Sequence, residues 1–290
     1  MKPLPAALAL LLLPLASNAQ TNPDTDLAYG ANVGWINVQP QRGNHIYVDA
    51  GEHFFSGYIY GANIGWISLG NGMPKNGHSY SNTTADDSGI NNDGAGNLSG
   101  YAYGANIGWI NFGWTTDAND PNRARFDLDD GEFHGFAYSA NCGWVNLGTG
   151  HLFVTAINRV DSDHDGINDA WEMQWFGNLT TAGIRTDRDG DGQSDAAEYV
   201  ADTDPLRADD YLKIVSHTYA NGQTTVSIVF TSQPSRRYQL QHSTDLVKWD
   251  DSGLGEFNPD AGATTTKGFS FTGNTRHFFR VVAVLPLPQP

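Results

Sequence analysis

Four near-copies of one short motif constrain the fold of this 290-residue chain more than any other feature. They read AYGANVGWINV over 28–38, GYIYGANIGWISLG over 57–70, GYAYGANIGWINFG over 100–113 and GFAYSANCGWVNLG over 135–148. The shared core is Ala-Asn-x-Gly-Trp, with Asn32, Asn63, Asn106 and Asn141 two positions before a glycine and Trp35, Trp66, Trp109 and Trp144 just after it. Self-similarity of this kind marks units that cannot bury an apolar face alone and must cover one another. The steps between the tryptophans are 31, 43 and 35 residues, and the variation falls in polar, Gly/Asn/Asp-rich connections, where loops absorb it.

Each copy reads as a β-hairpin: an aromatic strand such as Tyr58-Ile59-Tyr60 turns through Gly61-Ala62-Asn63 into Gly65-Trp66-Ile67-Ser68-Leu69. Period-2 alternation puts Ile67 and Leu69 on one face, matched by Ile36/Val38, Ile110/Phe112 and Val145/Leu147. That aliphatic face belongs to a core, and Trp66 with Ser68 and its counterparts lies on the other. Cys142, the only cysteine, stands where the other copies have Val33, Ile64 and Ile107, and reads as a small buried apolar residue. The glycine beside each Trp reads as room for a ring against the backbone. A third strand is expected after each hairpin, over 45–48, 78–80, 125–128 and 151–154. Residues 20–158 then form a four-unit β-repeat module that is propeller-like, barrel-like or a short solenoid, with closure favoured because open edges invite aggregation.

Two twelve-residue segments, DSDHDGINDAWE over 161–172 and DRDGDGQSDAAE over 187–198, satisfy D-x-[DN]-x-[DN]-G-x₅-E in full. Calcium takes six to eight hard oxygen ligands, and this spacing supplies them. The first set is Asp161, Asp163, Asp165, the Ile167 carbonyl, Asp169 and Glu172, and the second is Asp187, Asp189, Asp191, the Gln193 carbonyl, Asp195 and Glu198. Two calcium ions are therefore expected, since carboxylates this dense repel one another without a cation. Position 8 holds Asn168 and Ser194 rather than the apolar residue that joins paired EF-hand loops. The segment before the first loop, VTAINRV, reads as a strand. Helices are expected only on the outgoing sides, over 169–176 and 195–201, with Trp171 and Trp175 one turn apart as a small shared core. The stretch DSDHDGINDAWEMQWFGNLT…DRDGDGQSDAAEYVADTDP resembles the bacterial thrombospondin type 3-like calcium repeats of secreted multidomain proteins. The resemblance covers roughly residues 160–206 and implies a calcium-rigidified connector rather than a calcium sensor; dockerin is the alternative, which the position 8 residues disfavour.

Composition narrows the function. The net charge is −16, and residues 161–210 alone carry 14 acidic side chains against Arg185, Arg188 and Arg207. With that excess confined to the connector at 159–206 and its edge, no basic patch exists for nucleic acid or anionic lipid. Residues 1–19 read as a secretory signal peptide, with Lys2, an apolar run over 6–15 and cleavage near Ala19. No second apolar stretch follows, so membrane insertion of the mature chain is not expected and the protein is expected to be extracellular or on the cell surface. Residues 207–285 change to period-2 strands (211–219, 224–230, 236–243, 268–272, 277–285) and read as a small β-sandwich of immunoglobulin or fibronectin III type, with Trp249 as a core or hairpin anchor, followed by a Pro-rich tail over 286–290 expected to be disordered.

No catalytic constellation is legible: no G-x-S-x-G, no H-E-x-x-H and no phosphate-cradling glycine loop. The expected function is that of a non-catalytic secreted calcium-binding structural or adhesion protein, with extracellular polysaccharide or another surface protein as partner. The alternative is a multivalent carbohydrate-binding protein using Trp35, Trp66, Trp109 and Trp144 as platforms, and a secreted glycoside hydrolase is the more distant one. Burial of those rings would favour the structural reading and exposure the sugar-binding one.

Overall fold

The computed structural model describes residues 27–38, 48–220, 225–270 and 276–289. The signal peptide, residues 45–47 of the first expected third strand, residues 271–272 and Pro290 lie outside the described residues. Among the described residues the chain is mainly β, with two short α-helices. In chain order the first part runs β1 (Leu27–Gly30), β2 (Gly34–Asn37), β3 (Val48–Ala50), β4 (Phe55–Gly61), β5 (Gly65–Gly70), β6 (Ile90–Asn92), β7 (Leu98–Gly104), β8 (Gly108–Asn111), β9 (Arg125–Phe126), β10 (Phe133–His134), β11 (Phe136–Ser139) and β12 (Gly143–Asn146).

The four repeats are the hairpins β1/β2, β4/β5, β7/β8 and β11/β12. Neighbouring hairpins pair antiparallel, β2 with β4, β5 with β7 and β8 with β11, and β12 returns to β1. The module is therefore a closed eight-stranded barrel, which leaves none of these eight strands as an open edge.

The interior is built in layers set by the repeat. Register places Ala28 opposite Ile36, Ile59 opposite Ile67, Ala102 opposite Ile110 and Ala137 opposite Val145, so small and large residues alternate around most of the ring. Val33, Ile64, Ile107 and Cys142 plug the hairpin end, and Phe55, Leu98, Phe126, Phe133 and Leu152 join the same core. The packing is tight: the cavity enclosed by Ile36, Ile59, Ile110 and Val145 measures about 40 Å³. A Cβ added to Gly61 would meet the Ile64 side chain at 2.5 Å, and one on Gly104 would meet Ile107 at 2.8 Å. The fourth hairpin carries Ser139 at that place, and there the plug residue is the smaller Cys142.

The asparagines explain their own recurrence. Asn63 Nδ2 donates to the Val33 carbonyl (3.0 Å), Asn106 to Ile64 (3.0 Å), Asn141 to Ile107 (2.8 Å) and Asn32 to Cys142 (3.1 Å), so each hairpin tip is tied to the previous one and the first to the last. The glycines beside the tryptophans serve the backbone rather than the rings: Gly34, Gly65, Gly108 and Gly143 have φ between 72° and 80°, where a side chain is strained.

The third strands differ from expectation. Residues 78–80 form no strand; the segment that pairs beside the hairpin is β6, with Ile90 opposite Gly100. Over 125–128 only β9 forms, pairing with β10, and 151–154 contributes a single bridge between Glu132 and Phe153. The VTAINRV segment is likewise not a strand and holds one bridge, Gly51 to Asn158.

Two helices follow, α1 (Asp169–Trp175) and α2 (Asp195–Ala201), and then β13 (Ile214–Ala220), β14 (Thr225–Thr231), β15 (Arg237–Ser243), β16 (Asp250–Phe257), β17 (Thr264–Ser270) and β18 (Phe278–Val284). These strands make two three-stranded sheets, β13-β14-β17 and β16-β15-β18. Val226, Ile228 and Phe230 of one and Tyr238, Leu240 and Ala283 of the other fill the space between them. The strand β16 was not legible in the sequence. Trp249 is not a core residue: it lies half-buried with the Arg280 guanidinium 4.4 Å over its ring.

The Pro-rich tail is ordered through Gln289, contrary to the expectation of disorder. Ile157 N donates to the Pro288 carbonyl (3.0 Å), Gln289 Nε2 to the Arg159 carbonyl (2.9 Å), and Leu287 packs on the barrel core. The tail crosses a buried charged node. Glu52, from the turn after β3, meets Arg159 at 3.4 Å and Arg236 at 3.1 Å and accepts the Tyr199 hydroxyl at 3.0 Å. Burial alone would raise the Glu52 carboxyl, but Arg236 and then Arg159 outweigh it and hold the group below its ordinary range. Arg236 also donates to the Tyr199 and Val200 carbonyls of α2, and Arg159 to the Pro286 and Leu287 carbonyls. Barrel, helix α2, C-terminal sheets and tail thus meet at one ion cluster.

Candidate metal centres and the aromatic belt

Both acidic loops fold back on their first aspartate. Asp161 accepts from the N–H groups of His164 (2.7 Å), Asp165 (3.2 Å) and Gly166 (2.9 Å), and Asp187 accepts from Gly190 (2.8 Å) and Gly192 (3.0 Å). Gly166 and Gly192, at φ 90° and 96°, make the sharp turn at position 6 that the motif requires. Asp161, Asp163 and Asp165 each bring a carboxylate oxygen within 4.8 Å of the others, and so do Asp187, Asp189 and Asp191.

The helices carry the closing glutamates inward. Asn168 Oδ1 accepts from the Ala170 and Trp171 N–H groups, and Ser194 Oγ accepts from Ala197 N–H. The polar residues at position 8 are therefore N-caps, which is why an apolar residue is absent there. Ile167 at position 7 is buried with Trp171, Ala182 and Tyr199, and Trp175 packs against that cluster. Glu172 and Glu198 end up buried, and neither oxygen of either carboxylate has a hydrogen-bond partner. The Oδ2 atoms of Asp165, Asp189 and Asp191 are also buried and unpartnered. These seven oxygens belong to five carboxylates, and buried acceptor oxygens with neither a donor nor a cation are costly. A hard cation at each cluster satisfies them, so the donor sets fit calcium.

Asp169 and Asp195 are placed differently from the other ligand-position carboxylates. Asp169 spends its two oxygens on Ser162 N–H (2.7 Å) and Ser162 Oγ (2.6 Å), and Asp195 accepts from Arg188 N–H (3.1 Å) and the Thr186 hydroxyl. They brace the loop entry, and position 9 of such loops commonly reaches the ion through water rather than directly.

Glu172 is pushed up to about 8 by burial first and then by Asp165 and Asp163, and Glu198 is pushed up to about 8 by burial and then by Asp189 and Asp191. For an acid raised above its ordinary value of 4.5, ionisation opposes folding, so the ion-free connector loosens as pH rises from about 4.5 through about 8. Calcium must displace those protons, and its affinity is expected to climb with pH across the same window. Calcium titrations at about pH 6 and about pH 8 check this; equal affinities would contradict it.

The tryptophans lie outside the barrel. Trp35 is 50 % exposed, Trp66 39 %, Trp109 42 % and Trp144 47 %, so the rings are not buried as the structural reading expected. Each sits against a tyrosine of its own hairpin, Tyr29, Tyr60, Tyr103 or Tyr138, with ring centroids 4.8 to 5.0 Å apart. The result is a belt of Tyr–Trp pairs around the hairpin end. Its surroundings are not fourfold: Trp35 neighbours His151, Trp144 neighbours Trp114, and Trp109 faces a loop over 82–88.

The family model for the bacterial TSP3 repeat matches residues 187–208, which contain the second acidic loop and α2. No curated protein and no solved structure matches the chain.

Proposed function

We propose that this chain is a secreted, non-catalytic calcium-binding protein with a structural or adhesive role at a cell surface or in an extracellular matrix. The TSP3 repeat supports a calcium-binding protein of extracellular type. No helix among the described residues is long and apolar enough to cross a membrane. The observation that carries the reading is the position of the second calcium loop: Glu198, with its two unpartnered oxygens, directly precedes Tyr199, which binds Glu52 of the barrel. An ion there holds α2 in place, and α2 joins the barrel to the C-terminal sheets. Calcium in this account stiffens the junction between modules and does no chemistry.

A second reading, that the barrel binds carbohydrate, is favoured by the exposure of the four tryptophans. Sugar rings offer an apolar face to aromatic rings and hydroxyls to neighbouring amides, and the belt alternates Trp with Asn or Ser along each second strand. A glycan array probed with the calcium-loaded chain, alongside an assay for newly formed reducing ends, tests both readings. The account expects no hydrolysis. Replacing Trp35, Trp66, Trp109 and Trp144 together with leucine, which keeps aliphatic cover over the strands, should leave the barrel folded and abolish any glycan capture. Release of reducing ends would contradict the non-catalytic role. Capture that survives the fourfold variant would contradict the aromatic platform.

A further inference from the structure

One of the four tryptophans has a built site beside it. The longest step in the repeat, 43 residues between Trp66 and Trp109, arises from the connection between β5 and β6. That connection folds into a wall facing the Trp109 hairpin, and a groove of about 390 Å³ runs between them. Trp109 and Tyr101 form one side, and Asn82, Thr83, Thr84 and Ser88 line the other.

The wall is held rigidly. The Tyr80 side chain is wedged between Gly70 and Gly89, where added Cβ atoms would lie 2.5 Å from its hydroxyl and 2.3 Å from its ring, and that hydroxyl accepts from Gly72 N–H at 2.8 Å. The buried Asp87 carboxylate accepts from the N–H groups of Lys75 (3.1 Å) and Ser81 (3.2 Å). Asn82, at φ 56°, accepts from Gly89 N–H (3.1 Å) and donates to the Tyr80 carbonyl (3.2 Å), which leaves each polar end of its amide capacity for one more bond. Across the groove, Trp109 is flanked by Tyr101 and Tyr103 with centroids 6.1 and 4.8 Å away, which limits its freedom.

The lining combines an aromatic face with hydroxyl and amide groups and contains no ionisable carboxylate, amine or guanidinium. Of the charges on this wall, Lys75 and Asp86 pair with each other at 2.7 Å, with Asp86 also accepting from the Thr84 hydroxyl, and the Asp87 carboxylate is spent on backbone N–H groups. A site of this kind matches a ligand with one apolar face and several hydroxyls and without charge. We infer that the groove between Trp109 and the 82–88 loop is a discrete binding site for a neutral oligosaccharide, whose ring stacks on Trp109 while its hydroxyls bond to Asn82, Thr83 and Thr84. This rests on the carbohydrate reading of the belt and goes further, because it assigns one site and one ligand class rather than four equivalent platforms.

Isothermal titration of the calcium-loaded full chain with cellohexaose, xylohexaose, maltohexaose and the anionic hexamer of galacturonic acid tests it. At least one neutral hexasaccharide should bind at one per chain, and the anionic one should bind at least tenfold more weakly. Trp109→Ala should weaken binding about tenfold or more, the usual consequence of removing a central aromatic anchor. Trp35→Ala, which removes a half-exposed ring that does not line the groove, should change it less than twofold. Thr83→Val with Thr84→Val should weaken binding several-fold while the chain stays folded, because the Thr83–Ser81 and Thr84–Asp86 hydrogen bonds it removes are at exposed positions, which keeps the test decisive if Trp109→Ala does not fold. Equal losses in Trp109→Ala and Trp35→Ala would overturn the groove and leave the belt standing. Absence of binding to every neutral hexasaccharide would overturn both, and preferential binding of the anionic hexamer would overturn the ligand class.

Discussion

Ile110→Asp is expected to unfold the barrel as one body, not to fray its own hairpin. Ile110 is buried in the layer shared with Ile36, Ile67 and Val145, opposite Ala102 in its hairpin and opposite Ser139 across the next seam. No basic group lines that interior, so the new carboxylate would be buried unpaired, and the penalty exceeds about 4 kcal/mol. Closure spreads the damage: every hairpin is a neighbour of two others, and opening one seam exposes two edges. Amide exchange of Ile36 and Ile67, which belong to other hairpins, should rise together with that of position 110. Ile110→Val should cost only about 1 kcal/mol. Fast exchange restricted to 98–111 would contradict a cooperative barrel.

Calcium withdrawal is the second large effect, and the structure changes what it should do. As an isolated connector, residues 160–206 would melt alone under chelation. The core of the C-terminal sheets, however, takes Ala201 and packs against Val200 of α2, and Arg236 in the turn before β15 is anchored on α2 carbonyls. Removing ions held at 100-fold above their dissociation constant costs about 2.7 kcal/mol per site. Chelation should therefore raise proteolysis over 160–206 and also lower the melting temperature of the C-terminal sheets, while the barrel interior keeps its exchange protection. Glu52→Ala should reproduce the loosening between modules at saturating calcium, because it strands Arg159 and Arg236 in a buried node, at a cost of about 3–5 kcal/mol. Cleavage that stays within the connector and leaves the C-terminal melting unchanged would contradict this coupling.

The legible parts of the chain are those with local periodicity. Alternation along Gly65–Gly70 and its counterparts fixed the inward and outward faces, and the twelve-residue spacing located both acidic loops and their helices. Where local pattern misled, a nonlocal contact decided. Residues 78–80 alternate like a strand, but Tyr80 is needed as a wedge between Gly70 and Gly89, and the pairing role falls to Ile90–Asn92. β16 shows no apolar alternation because most of it is exposed, and Gly253 and Gly255 take positive φ within it. Glu52 carries no motif, and its partners stand more than a hundred residues away, so nothing in its own segment announces the node. The tail over 286–289 is Pro-rich, yet its carbonyls are what Arg159 needs. The belt was visible as spacing, but which of its rings gained a wall depended on how the 43-residue step folds back.

Calcium stoichiometry tests the central claim most directly. Titration of the metal-stripped full chain near pH 8 should reach two ions per molecule, with Glu172→Gln and Glu198→Gln each removing one and the double variant removing both. Only Glu198→Gln should also loosen the C-terminal sheets, since its helix is the one that meets Glu52 and Arg236. A chain that binds no calcium, or whose binding ignores both substitutions, would contradict the account.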